Sequence, residues 1–304
     1  MSRVFIVAAK RTAIGSFLGG LSTLHPSVYG SEVVKNILEE TKIPKEKIDE
    51  VVVGNILPAG LGQGVARQVS LGAGIPVSVP AYGINMVCGS GMKTIMIAYT
   101  SIKAGFHNMV LVGGIESMSM APNIIPGRVR QGYKMGGFTV TDHMIADALT
   151  DPFDNVHMGI TAENIVDQFN LTREEQDEFA IESQRRAIEA VDAGKFKDEI
   201  VPITVKSRKG EVVFDTDECP QDSSYAALAK MRPAFKKEGV GTAGNASIIS
   251  DGAAALVIMS EKKARELGCT IMAEIGAQAS FGIDMKYVLM APIYAIPKVL
   301  KKQG

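Results

Sequence analysis

The chain has 304 residues, 46% of them hydrophobic, enough for two domains or two halves of a layered fold around large cores. Its 32 basic and 33 acidic residues nearly cancel, so no charge excess points to duplex nucleic acid. Three widely spaced cysteines without a CxxC pair argue against a disulfide framework or a zinc site. No apolar stretch is long enough to span a bilayer, and MSRVFIVAAKRTAIG enters a strand at once without the pattern of a signal peptide. The expected home is therefore the reducing cytoplasm.

In chain order, residues 4–9 (VFIVAA) read as a buried strand, 27–41 as a helix, 51–53 (VVV) as a second buried strand and 62–71 as a short helix. An alternating run, 80–87 (PAYGINMV), leads into 92–104 (MKTIMIAYTSIKA), a helix without proline or glycine. Residues 108–112 (NMVLV) form another strand, which Gly113-Gly114 is expected to end. Short apolar strands separated by helices predict a parallel-dominated sheet covered on both faces.

The pattern breaks at 117–240, where strand signals are few and glycine, proline and charge abound. Within it, NLTREEQDEFAIESQRRAIEAVDAG is the clearest helix: Thr172 caps it, Glu175 completes a capping box and Gly194 ends it. Strand–helix order resumes with AAALVIM (253–259), the Ser260-capped SEKKARELG, an apolar strand at 270–276 and a helix at 293–302. Residues 117–240 therefore read as an insertion between two parts of one sheet domain.

The segment NMVCGSGMKT places Cys88 at a strand-to-helix turn. A lone cysteine is more often a small buried filler than a reagent. Gly89 and Gly91 shift that balance, because two glycines in a first helical turn need a reason, and a sharp turn or close backbone approach supplies one. A helix N-terminus with unpaired N–H groups would favour a thiolate there. The geometry leans towards chemistry.

Taken together, RTAIGSFLGGLS, VVVGNILPAGLGQGVARQ, NMVCGSGMKT, LVGGIESMSMAP, HMGITAEN, MRPAF, GTAGNAS and SDGAAAL resemble the thiolases of the acetyl-CoA acetyltransferase type, in family order from Arg11 to Ala255. The resemblance implies a layered αβαβα fold, with residues 1–116 and 245–268 as the N-terminal half, 117–244 as an inserted coenzyme A loop domain and 269–304 as the start of a second half. It implies condensation of two acetyl-CoA to acetoacetyl-CoA, or the reverse thiolysis, through an acyl thioester on Cys88. It also places Leu149, His157, Met158, Arg232, Phe235, Ala243 and Ser247 at the coenzyme, with Phe235, Met158 and Leu149 flanking it and Ser247 bonding a pantetheine amide. Read by itself, His157 is more often a packed or capping histidine. Acetyl-CoA, acetoacetyl-CoA and CoA would be substrates and products, no cofactor would be permanently bound, no metal held, and the completed protein would be a homodimer or homotetramer. No nucleic-acid or membrane partner is expected.

Family members also carry an asparagine in NEAF, a histidine in GHP and a second cysteine in CxGGG, and none of these motifs occurs in the 304 residues. The asparagine (through a water) and the histidine supply the oxyanion hole, and the second cysteine is the base. The chain thus reads as a thiolase that ends early in its second half, and by itself is expected to be inactive. Ile248 stands where the family usually has glycine, and Leu289-Met290-Ala291 where small residues are usual. Cys219 and Cys269, like His25, His107 and His143, match no catalytic motif and read as structural. The alternative is a non-catalytic thiolase-like protein that binds CoA or a partner chain. A ketoacyl-synthase-like enzyme is disfavoured by HMGITAEN and MRPAF.

Overall fold

The computed structural model describes residues 3–208 and 210–304. The strands and helices in chain order are β1 (Val4–Arg11), β2 (Gly15–Ser16), α1 (Pro26–Thr41), β3 (Glu50–Gly54), α2 (Val65–Gly72), β4 (Ala81–Ile84), α3 (Ser90–Lys103) and β5 (Met109–Ser117). Then come the short β6 (Asn123–Ile124), β7 (Thr141–Asp142), β8 (Thr150–Asp151) and β9 (Val156–His157), followed by α4 (Met158–Phe169) and α5 (Arg173–Asp192). The rest are β10 (Ile203–Ser207), β11 (Gly210–Phe214), α6 (Tyr225–Leu228), β12 (Ser250–Ser260), α7 (Glu261–Glu266), β13 (Ala273–Glu274) and α8 (Ala291–Gln303).

The chain divides into two compact units. The first comprises 1–144, 196–219 and 249–275, and the second 145–195, 220–248 and 276–304.

The first unit is built on a sheet of order β13-β1-β12-β5-β3-β4, with β2 paired to β12. Alternate residues of its central strands feed two apolar clusters. Val51, Val53, Met109, Leu111, Val257 and Met259 join one with α1 and α2, whereas Val52, Val110, Val112 and Ile258 join Ala98 and Ile102 of α3 in the other. That period of two shows a sheet covered on both faces. The expectation of a parallel-dominated sheet is corrected: among the described strands of this sheet β3 pairs in parallel with β4 and β5, whereas β12 runs antiparallel to β1, β2 and β5 and β13 antiparallel to β1. β12 comes from far along the chain, so its insertion between β1 and β5 leaves no trace in local periodicity.

Three further expectations change. β5 does not stop at Gly113-Gly114 but runs on to Ser117, because Gly113 sits where a Cβ would lie 2.2 Å from the Ala254 carbonyl oxygen of β12. The strand expected at 270–276 is only the two-residue β13. And the strand-poor stretch contains the β10–β11 hairpin, with Ile203 opposite Phe214. Its alternation is blunted by outward Lys206 and Glu211, which face each other across the ribbon in an ion pair at 3.1 Å.

In the second unit α5 has the full capping box between Thr172 and Glu175, as its sequence predicts. Among the described residues no helix is long and apolar enough to cross a membrane.

Candidate active site

β4 ends at Ile84, three residues short of the predicted strand end, and residues 85–89 make an elbow into α3. Cys88 is exposed on that elbow, immediately ahead of the Gly89 cap. Ahead of the helix the chain turns tightly, the Gly89 N–H donating to the Met86 carbonyl at 3.1 Å and the Ser90 N–H to the Val87 carbonyl at 3.0 Å.

The sharp turn is not made by the glycines that announced it. The residue in the left-handed region is Val87, at φ 47°, while Gly89 has an ordinary φ of −80° and a Cβ on Gly91 would touch nothing within 4 Å. A β-branched residue avoids that conformation, and holding it there costs roughly 1–3 kcal/mol. The buried Ser90 helps to hold it, because its Oγ donates to the Val87 carbonyl at 2.6 Å and accepts from the Met86 N–H at 2.9 Å. The glycine that close approach requires is Gly54, at the end of β3. A Cβ there would lie 2.7 Å from the carbonyl carbon of Ser90 and 2.9 Å from the Gly91 nitrogen.

A cavity of about 300 Å³ opens beside Cys88, lined also by Asn55, Glu116, Ser250 and Asp251. Glu116 lies at the end of β5, where its carboxylate accepts from the N–H groups of Ile56 (2.7 Å) and Leu57 (3.2 Å) and from Asn55 Nδ2 (2.9 Å). Burial pushes the Glu116 carboxyl up from its ordinary value, against the pull of those N–H groups and of nearby His143. Glu116 was missed as a site residue, although a carboxylate closing a buried apolar strand (LVGGIE) was a signal.

The other cysteines differ from Cys88. Cys269 packs against the apolar core, with its Sγ 4.0 Å from the Met259 sulfur, and burial pushes its thiol up. Cys219 is pushed up by burial first, then by the charges of Glu218, Asp217 and Asp251.

All seven predicted coenzyme residues lie in the second unit. The Met158 N–H donates to the Leu149 carbonyl at 2.8 Å, and His157 pairs with Thr150 across β8–β9. The His157 ring caps α4, its Nδ1 accepting from the Gly159 N–H at 3.0 Å, and also stacks on Phe235 with centroids 5.1 Å apart. Its capping role and its place beside the aromatic wall therefore coincide. Phe235 presses on Gly159, where a Cβ would lie 2.1 Å from the ring. Ala243 lies exposed on a turn closed by the Ala246 N–H on the Thr242 carbonyl at 3.0 Å, and Ser247 is exposed just past it. Arg232 is exposed three residues before Phe235.

Two buried carboxylates hold this loop. Glu163, 2% exposed, accepts from the N–H groups of Val240 (3.0 Å) and Gly241 (2.8 Å). Asp177, fully buried, pairs with Arg173 at 2.7 Å and accepts from Asn245 Nδ2 at 2.9 Å. Asn245 Oδ1 in turn accepts from the Thr242 N–H at 2.7 Å. Glu163 sits one helical turn after Gly159 on the buried face of α4, and that misplaced charge was its signal in the sequence.

Residues 4–262 match the family model described as thiolase, N-terminal domain. The chain belongs to the thiolase family. An acetyl-CoA acetyltransferase of Pseudomonas aeruginosa is 47% identical over 306 residues, covering 100% of this thiolase and 78% of that protein. The crystal structure of the Bacillus anthracis acetyl-CoA acetyltransferase superposes with a TM-score of 0.96 at 40% identity, over 99% of this chain and 76% of that one. The structure of the acetyl-CoA acetyltransferase from Syntrophomonas wolfei does so with a TM-score of 0.97 at 40% identity, over 100% and 76%. The mixed α/β sheet with helices on both faces is thus the thiolase fold. Among the described residues no cluster of His, Cys, Asp and Glu has the makings of a metal site.

Proposed function

We propose that this thiolase is of the acetyl-CoA acetyltransferase type, with Cys88 taking the acetyl group from acetyl-CoA as a thioester. The observation that carries this reading is the single exposed cysteine on a strained elbow at the N-terminus of α3, beside a cavity. A thiolate attacks the thioester carbon, the CoA sulfur leaves with the electron pair, and one thioester replaces another. Such an exchange is nearly balanced in energy, so the positioned nucleophile sets its rate.

Leu149, His157, Met158, Arg232, Phe235, Ala243 and Ser247 are the residues proposed to hold CoA. The stacked Phe235 and His157 provide a flat wall, and the exposed Ser247 hydroxyl a hydrogen-bonding group. No permanently bound cofactor, a cytoplasmic location and a homo-oligomeric enzyme complete the proposal.

Condensation further needs a base for the acetyl methyl proton and donors aimed at the thioester oxygen. The motifs that carry those groups in the family are not among residues 1–304. A polypeptide of these residues alone is therefore expected to accept an acetyl group without sustained turnover of acetoacetyl-CoA. A non-catalytic CoA-binding role would leave Cys88 unmodified.

Intact-mass measurement after incubation with acetyl-CoA separates the two. One added acetyl group that is lost in Cys88→Ala supports the acyl-carrier reading, and an unchanged mass in folded, CoA-binding protein refutes it.

A further inference from the structure

We propose that Asn85 is the positioning residue of the nucleophile, tying the Cys88 elbow to the end of β3 and through it to Glu116. The inference rests on the reading of Cys88 as the acyl acceptor. The Asn85 side chain is engaged at both ends. Its Oδ1 accepts from the Val87 N–H at 2.9 Å, and its Nδ2 donates to the Ile56 carbonyl at 3.2 Å.

These two partners fix the amide's orientation, since a backbone N–H needs an acceptor and a carbonyl needs a donor. Aspartate would keep the first bond and lose the second, and alanine would lose both. The tether continues, because the Ile56 N–H donates to Glu116 Oε2 at 2.7 Å. The Asn55 N–H, one residue earlier, donates to the Ile84 carbonyl at 3.1 Å, so the same segment just past β3 grips the end of β4.

What this tether holds is the peptide that needs holding. Val87 is a β-branched residue at φ 47°, a conformation it would leave if free. Its carbonyl is pinned by Ser90 Oγ at 2.6 Å, and its N–H by Asn85. Ser90 belongs to α3 itself, whereas the Asn85 bond refers the elbow to the segment that follows β3. Releasing Val87 re-aims the following residue, and that residue is Cys88. Attack on a bound thioester depends steeply on direction and distance. Reaction with a small alkylating reagent does not.

The test compares both reactions in the 304-residue protein. With Asn85→Ala, the maximal rate of Cys88 acetylation by acetyl-CoA should fall about ten- to a hundredfold at an unchanged half-saturating concentration. Iodoacetamide alkylation of Cys88 and the melting temperature should stay near their wild-type values. Asn85→Asp, which retains the acceptor for Val87, should fall in between. Acetylation of Asn85→Ala at the wild-type rate would overturn the proposal. So would parallel losses in acetylation, alkylation and melting temperature, which would make Asn85 a fold residue only.

If wild-type protein is not acetylated at all, the functional reading fails instead. The crystal structure of Asn85→Ala then decides on positioning by itself. Val87 leaving the left-handed region supports the tether, and an unmoved Val87 and Cys88 refute it.

Discussion

The two units secure their functional residues by different physics. In the first, backbone is packed against backbone: Gly54 lets β3 abut the first turn of α3, Gly113 lets β12 lie close alongside β5, and Cys88 lines the cavity beside Gly54, Gly91 and Ala254. In the second, a loop is held by buried charge, with Glu163 gripping residues 240–241 and Asp177 reaching 242 through Asn245. A nucleophile attacking a small carbon centre gains from a rigid mount, because small displacements cost rate. A long, flexible ligand such as a CoA thioester gains from a loop that can settle around it.

The first way to break this comparison is Gly54→Ala. The new Cβ would meet backbone atoms, which cannot swing aside as a side-chain end would. We expect a loss of about 3 kcal/mol in unfolding free energy by urea denaturation, at the upper end for overpacking. A loss below about 1 kcal/mol would mean that the β3–α3 contact is looser than described.

A smaller effect is expected in the second unit. Phe235→Ala removes the ring that stacks on His157, and should weaken CoA binding by roughly 1–3 kcal/mol in calorimetric titration. Unchanged affinity in a variant that melts like wild type would remove Phe235 from the coenzyme site.

These contrasts explain what the sequence could disclose. The position of Cys88 was legible because an alternating run followed by a glycine-bracketed apolar helix is a local signal, and α5 was legible from Thr172, Glu175 and Gly194. The elbow's mechanism was not, since valine is among the last residues expected at positive φ and nothing in NMVCG marks it. The antiparallel placement of β12 depends on pairing across more than a hundred residues, beyond any window of periodicity. The residues proposed to hold CoA rest on the family resemblance alone. The carboxylates that hold their loop could have been suspected as charges on buried faces, but their partners lie some 70 residues on, between Glu163 and Val240 or Asp177 and Asn245.

The smallest expected effect sharpens the picture of the cavity. Because burial raises the Glu116 carboxyl, the folded chain holds a proton that the unfolded chain has released, between the ordinary carboxylate range and the raised value. Glu116 therefore makes stability fall as pH rises through that window. Urea midpoints of wild type and Glu116→Gln, compared from about pH 4 to 7, should show wild type losing ground to the variant as pH increases. A difference with the opposite slope would mean that the N–H groups of Ile56 and Leu57 outweigh burial.

The most direct test of the account's central claim is the order in which the three cysteines react in folded protein. Limiting iodoacetamide at neutral pH, followed by peptide mapping, reads it. Cys88 is exposed at a helix N-terminus, whereas burial pushes the thiols of Cys219 and Cys269 up and away from the reactive thiolate. Cys88 should be labelled first, with the other two following only on unfolding. Labelling of Cys219 or Cys269 ahead of Cys88 would contradict the claim that this elbow presents the nucleophile.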